Sequence, residues 1–229
     1  DTAPIYPVYI RDGEGNIMTD KYGWPVYDSG DGSIWGVSRT TGSMANPLQL
    51  IWLDKSYSEG NAFGVNGFVD ITFMPGLKLQ VNGSVTVDET RTTNVSNPYY
   101  GQFTTQGGII SKAHSRSYAH NMQQLLTYDT TFGANDEHTL NLLLGHENYS
   151  AQSYALSGSR SMIFSDAIDE LNGAVVDQSA SASSRGEYVN EGYFFRAMYE
   201  YDGRIFASAS YRRDASSRFH PDHRWGNFW

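Results

Sequence analysis

The chain has 229 residues, a formal net charge of −9 and no cysteine. That acidity argues against a nucleic-acid binder, which needs a basic face to displace counterions from phosphate, and the missing thiols exclude disulfides, thiolate zinc sites and a cysteine nucleophile. No run approaches the ~18 to 20 apolar residues of a membrane helix, but a β-barrel, apolar only at alternate positions, stays open.

The length suits one large all-β domain that could bury a substantial core. Residues 1–60 look like loops. YPVY (Tyr6 to Tyr9) and WPVY (Trp24 to Tyr27) flank the turn-forming DGEGN, which predicts a small β-hairpin. Asp12, Glu14 and Asn16 have the alternating oxygens of a calcium loop, but Ile17 stands where such a loop needs Gly and Gly23 where it needs Glu, so a turn is the better reading. Trp24, Trp35 and Trp52, together with Tyr99 and Tyr100 further on, lie in predicted loops. There, flat rings could contact a substrate or a partner, or simply pack the loops together.

From Phe63 the pattern changes. Phe63, Val65, Val69, Ile71 and Phe73 alternate with polar or small residues, Phe68 being the misfit. After the turn at Pro75-Gly76, Leu77, Leu79, Val81, Val85 and Val87 continue on one face, with Lys78, Gln80, Asn82, Ser84 and Thr86 on the other. Two further pairs follow. His120 to Phe132 and His138 to Tyr149 are joined by GANDE, and Tyr193 to Tyr201 and Arg204 to Arg213 by Asp202-Gly203. Six strands in three hairpins result, with long polar connections from about Glu89 to Ser117 and Ser150 to Gly192. Within the second connection, residues 162–173 predict a short helix with Ser165 as N-cap and Gly173 past its end.

Alternation alone fits a soluble sandwich or a membrane barrel. Soluble strands centre on ~5 to 6 residues and membrane-crossing ones on ~9 to 11, and most of these segments reach the longer figure. Phe73, Tyr128, Phe132, Tyr199 and Tyr201 also gather near the tight turns, where an interfacial girdle would sit. The fold expected is all-β, an antiparallel transmembrane barrel segment with long loops on one side.

Catalytic patterns are missing. There is no GxSxG, HExxH or phosphate-cradling glycine loop, and no pair among Asp166, Asp169 and Glu170 is marked for glycoside hydrolysis. His220 and His223 in HPDH lack the helical turn that aims paired ligands at one metal. Arg212, Arg213 and Arg218 are expected to pair Asp214 and Asp222 across a hairpin tip. No cofactor, metal or nucleic-acid partner is expected, and no enzymatic activity.

The stretch YRRDASSRFHPDHRWG (Tyr211 to Gly226) resembles the RRDGSSRF and RWG signature of SusC-like (RagA-like) TonB-dependent outer-membrane transporters. Its signature positions are Arg213, Asp214, Ser217, Arg218, Phe219, Arg224, Trp225 and Gly226. IYPVYIRDGEGN, ANPL, GNAFGVNGFVDITFMPGLKLQVNGS and HTLNLLLGHE resemble the same family in the same order, over essentially the whole chain. Ala215 departs from the usual Gly, and His220 and His223 from the usual Gly and Asn. The resemblance implies six to seven strands of a 22-stranded barrel that imports glycans, oligosaccharides or peptides across the outer membrane of Bacteroidetes-type bacteria. It also implies a SusD-like surface lipoprotein as partner and energy from the TonB complex through a plug domain that this chain lacks.

Six strands leave two open edges, which cannot remain in hydrocarbon, so a fragment of a longer protein is expected. Residues 1–60 would be an extracellular loop region and 61–229 a partial barrel. Leu79, Val81, Val85, Leu140, Leu142, Phe195 and Ala207 would face lipid; Gln80, Asn82, Thr86, Asn141, Arg196 and Ser208 would line the lumen. The alternative is a soluble β-sandwich that binds carbohydrate through its loop aromatics.

Overall fold

The computed structural model describes residues 7–30, 46–178 and 181–229. After a short helix α1 (Pro47–Leu53) come β1 (Lys55–Met74), β2 (Leu77–Ser96), β3 (Ile109–Phe132), β4 (His138–Ile163), β5 (Ala174–Asp177), β6 (Ala182–Tyr201), β7 (Ile205–Ser216) and β8 (Trp225–Phe228). They form one sheet in the order β1-β2-β3-β4-β6-β7-β8, with the short β5 paired to β4. A sandwich requires two sheets packed face to face about 10 Å apart, so the sandwich alternative does not describe these residues.

The tight turns fall where their residues demand. Gly76 has φ 81°, and a Cβ there would meet the Asp129 carbonyl oxygen at 2.0 Å, so no other residue fits. Asp202 and Gly203 both have positive φ, 48° and 63°, as a type I′ turn needs. That turn sets the β6–β7 register, in which Phe195 opposes Tyr211, Tyr199 opposes Ala207 and Tyr201 opposes Ile205.

The strands greatly exceed expectation, running to 24 residues in β3 and 26 in β4. The polar stretches expected as loops, such as DETRTTNVS of β2 and SAQSYALSGSR of β4, continue the ladders. The predicted helix over 162–173 does not form. Met162 takes a left-handed φ of 62°, Ile163 pairs with Ala174, and the only helical geometry is a 3₁₀ turn at Leu171–Gly173. Helical backbone donors are diverted as well: the Phe164 N–H goes to Gly173 O at 3.1 Å. The α-helix that does form, α1, has Asn46 as N-cap, its side chain accepting from the Leu48 N–H, and Pro47 in the first turn.

The chain divides into two compact units. The first comprises residues 1–59, 91–114 and 156–183, the second residues 60–90, 115–155 and 184–229. In the first unit, the expected single hairpin is a closed three-arm ring. The Ile10 N–H donates to Val26 O, the Val26 N–H to Met18 O and the Met18 N–H to Ile10 O, at 2.8–3.0 Å. Two residues after each of these, Asp12, Asp20 and Asp28 accept backbone N–H bonds within their own turns. The period is eight residues. Asp12 thus turns its carboxylate onto Glu14 N and Asn16 N, and these bonds hold it below the ordinary carboxylate range.

In the second unit, side-chain contacts between neighbouring strands identify the two faces, because touching neighbours share a face. Lys78–Asp70, Asn82–Gln123, Asn141–Asp129 and Arg212–Glu147 are on one face. The residues one position away share the other, where His146 stacks on Tyr193 and Phe132 on His138. Strand alternation therefore groups Leu79, Val81, Val85, Leu140, Leu142, Phe195 and Ala207 on the latter, and Asn82, Asn141, Arg196 and Ser208 on the former.

The substantial core expected from the chain length is missing. Among the described residues the buried hydrophobic side chains are Ile10, Val26, Ile110 and Ala174, all in the first unit. Phe63, Val69, Ile71, Phe73, Phe195, Ile205 and Phe206 of the second unit are exposed. The physical reason is architectural: one sheet layer has no second layer on which to bury its apolar face.

Candidate functional site

The loop aromatics of the first unit separate into two kinds. Trp24 and Tyr99 meet edge to face at 5.0 Å between ring centroids, and both contact Tyr22, which sequence reading passed over. The Tyr99 hydroxyl donates to Asp166 at 2.5 Å, and this bond, with burial and the carboxylate charge, pushes the phenol up to about 12. Tyr100 donates to Asp20, and burial followed by this contact raises its pKa. Burial would raise the Asp20 carboxyl, but bonds from Tyr100, Trp24 N and Tyr22 N hold it below its usual range. These rings are committed to holding loops together. Trp52, by contrast, is 79% exposed on α1, beside exposed Ile51. Trp35 lies outside the described residues.

The carboxylates read as a solvated helix are also committed. Asp169 pairs with Lys55 at 3.3 Å and accepts from Tyr57, and Glu170 pairs with Lys112 at 2.8 Å. Asn97 is buried, with Asp54 accepting both its backbone N–H and its side-chain amide N–H, while the Asn97 side-chain Oδ1 accepts from Tyr99 N and Tyr100 N. Each of these groups serves the shape of the unit.

The charge-rich hairpin between β7 and β8 lies in the second unit, with Arg213 opposite Asn227, Asp214 opposite Gly226 and Ala215 opposite Trp225. Of the three arginines expected to pair with Asp214 and Asp222, Arg212 takes Asp214, its Nε 2.8 Å from both carboxylate oxygens, and also reaches Glu147 of β4 with a terminal nitrogen, whereas neither Arg213 nor Arg218 pairs with either aspartate among the described residues. Register explains this: Arg212, Asp214 and Glu147 share a face, and Arg213 points to the opposite one, where it lies 4.9 Å over the Trp225 ring. Asp222 faces His220 at 3.5 Å.

The remaining signature residues close the loop onto β6. The Ser217 N–H donates to Val189 O at 2.8 Å and its hydroxyl accepts from Val189 N at 2.9 Å. Arg218 lies 4.8 Å over the Tyr188 ring, and Arg224 Nε donates to Phe219 O at 3.2 Å. Gly192 leaves room for the ion pair, since a Cβ there would come within 2.5 Å of Asp214 Oδ1. Beneath this loop is an open concavity of ≈ 840 Å³, bordered by Glu147, Tyr149, Tyr188, Arg212, Phe219 and Phe228 among others.

Glu147, Tyr188 and Val189 were not singled out in the sequence, because they lie on other strands and no local spacing points to them. His220 and His223 flank a 3₁₀ turn with ring centroids 6.3 Å apart, and no group of three or more metal-ligating side chains occurs among the described residues.

No family model matches the sequence. The TonB-dependent receptor SusC of Bacteroides thetaiotaomicron is 29% identical over 237 residues, covering 98% of this chain and 22% of the relative. The solved RagAB peptide transporter covers 90% of this chain and 22% of its own at TM-score 0.73 and 24% identity. The RagAB peptide importer in its open-open state gives TM-score 0.72 at 25% identity, covering 85% and 21%. The chain is SusC/RagA-like. It spans about a fifth of the length of the relatives it matches, 22% of SusC. The sheet has the fold of a segment of an antiparallel β-barrel. The relatives' names are those of a receptor, a transporter and an importer, not of a catalyst.

Proposed function

We propose that this chain forms part of a TonB-dependent outer-membrane transporter that imports glycans, oligosaccharides or peptides together with a SusD-like lipoprotein. The observation that carries the reading is the SusC likeness over 98% of the chain, joined to a sheet with an exposed apolar face and no buried hydrophobic side chain among the described residues of its second unit. The face carrying Leu79, Val81, Val85, Leu140, Leu142, Phe195 and Ala207 contacts lipid. The face carrying Asn82, Asn141, Arg196 and Ser208 lines the lumen, with the tight turns periplasmic and residues 1–60 extracellular. Trp52 is the loop aromatic best suited to a partner, because its ring is not engaged as those of Trp24 and Tyr99 are. Energy reaches the barrel through a plug region and the TonB complex.

Fractionation and uptake test this reading in a strain carrying the intact receptor. The receptor is expected in the outer membrane, and import of its oligosaccharide or peptide cargo is expected to stop when TonB or the SusD-like lipoprotein is deleted. Uptake indifferent to both deletions would remove the transport reading. A monodisperse 25.5 kDa chain stable without detergent would remove the membrane reading.

A further inference from the structure

The concavity under the β7–β8 loop keeps positive charge that the loop's own contacts leave without a carboxylate. Its carboxylates are taken: Glu147 and Asp214 by Arg212, and Glu191 by the Tyr193 hydroxyl at 2.7 Å and His146 at 3.3 Å. Its other two arginines are not. Arg218 rests on the Tyr188 ring and Arg224 spends one N–H on Phe219 O, and no carboxylate among the described residues pairs with either. Both are exposed at the border of the concavity.

Beside these cations stand apolar rings. Phe219 is 62%, Phe228 57% and Tyr149 37% exposed, and the amides of Asn121 and Asn190 share the lining. A guanidinium binds a carboxylate through two parallel N–H bonds, while exposed rings and amides suit the C–H faces and hydroxyls of a sugar. An extended peptide is less well served. Beside the concavity β7 is paired on both sides, and the strand edge left for a peptide to extend among the described residues is that of β8, only four residues long.

We infer that this concavity is a binding subsite for a carboxylate-bearing oligosaccharide, its acid group held by Arg218 and Arg224 and its ring faces by Phe219, Phe228 and Tyr149. The inference rests on the importer reading and narrows its cargo to acidic sugars at this position.

Titration calorimetry on the detergent-purified intact receptor tests it, with tetragalacturonate as probe, a neutral tetrasaccharide as control and tetraglutamate as the peptide arm. Tetragalacturonate should bind, and Arg218→Gln with Arg224→Gln should weaken it by roughly tenfold or more, with less loss at high salt, as expected for charged hydrogen bonds. Phe228→Ala should weaken it with both guanidiniums intact. Folding of each variant is checked by heat-modifiable gel mobility, and outer-membrane insertion and TonB-dependent uptake of the native cargo are measured alongside. Undiminished affinity in the folded double Arg variant, absence of tetragalacturonate binding, or tighter binding of tetraglutamate each overturns the subsite. If uptake persists in any of those cases, the importer reading survives without it.

Discussion

The two units use different physics on the same strands. The first is held by directed polar contacts: the three-arm ring, Asp54 on Asn97, Asp166 on Tyr99, and the lysine pairs of Asp169 and Glu170. The second has almost no interior and is held by long ladders, with polar cross-strand pairs on one face and exposed apolar side chains on the other. On the proposed transporter reading, the contrast follows from the surroundings. Water on both sides of a strand leaves hydrogen bonding and rings to fix its shape, whereas lipid on one side stabilises an apolar face without any protein partner.

The largest effect should come from reversing that face. In the intact receptor, Val81→Arg is expected to cost about 2–4 kcal/mol of folding free energy in bilayers if it lies near the midplane, and Asn82→Arg on the opposite face much less. Urea titration in phospholipid vesicles measures both, and equal losses would erase the distinction between the faces.

Next is the polar architecture of the first unit. Asp54→Ala strands the backbone and side-chain amides of the buried Asn97, at a cost of about 1–3 kcal/mol. Hydrogen exchange should quicken around residues 91–114 and stay unchanged in residues 115–155. Loosening of both stretches together would show one cooperative body instead of two regimes.

Arg212→Leu should cost less, about 1 kcal/mol, because the guanidinium and its two carboxylates are 35–41% exposed and solvent screens them. Thermal shift of the receptor with Arg212→Leu alone, and combined with Glu147→Leu, measures the coupling. Partial recovery in the double variant is expected, since one of the two carboxylates left without Arg212 is then removed and Asp214 remains.

The smallest effects are those of pH. Tyr99 is neutral in the fold up to about 12, so the stability tied to it is complete below ~10, where an ordinary tyrosine ionises, and is lost as pH rises through that interval. Difference absorbance of phenolate should assign this late titration to Tyr99 and find it earlier in Asp166→Asn. Asp20 behaves oppositely. Its carboxyl is lowered, so its contribution is present above ~3.9 and fades as pH falls through the lowered value.

The sequence made some of this legible and concealed the rest for identifiable reasons. Pro75-Gly76 and Asp202-Gly203 announced their turns because backbone chirality leaves few alternatives. The alternating halves of β1 to β4 were readable because one face of each is apolar. Their other halves, such as residues 88–96 of β2, were mistaken for loops because the period-two signal fades when both faces are polar. The eight-residue period of Asp12, Asp20 and Asp28 was visible in principle, but the residues between them differ enough to hide it. Arg212 and Glu147 are 65 residues apart, and only the β4–β6–β7 order brings them together. The tip is legible as a hairpin and Arg212 does pair with Asp214, but Arg213 does not, because alternation puts it on the face opposite Asp214.

The three-arm ring at residues 8–28 has a consequence for how this part of the molecule can vary. Each arm donates to one neighbour and accepts from the other, so no arm is terminal and each turn is capped by its own aspartate. Failure of one cap leaves two intact. Between the caps, Gly13 and Glu14 of one turn and Lys21 of another can change independently, much as interchangeable tips on a common handle, while Tyr22 stays tied to Trp24 and Tyr99.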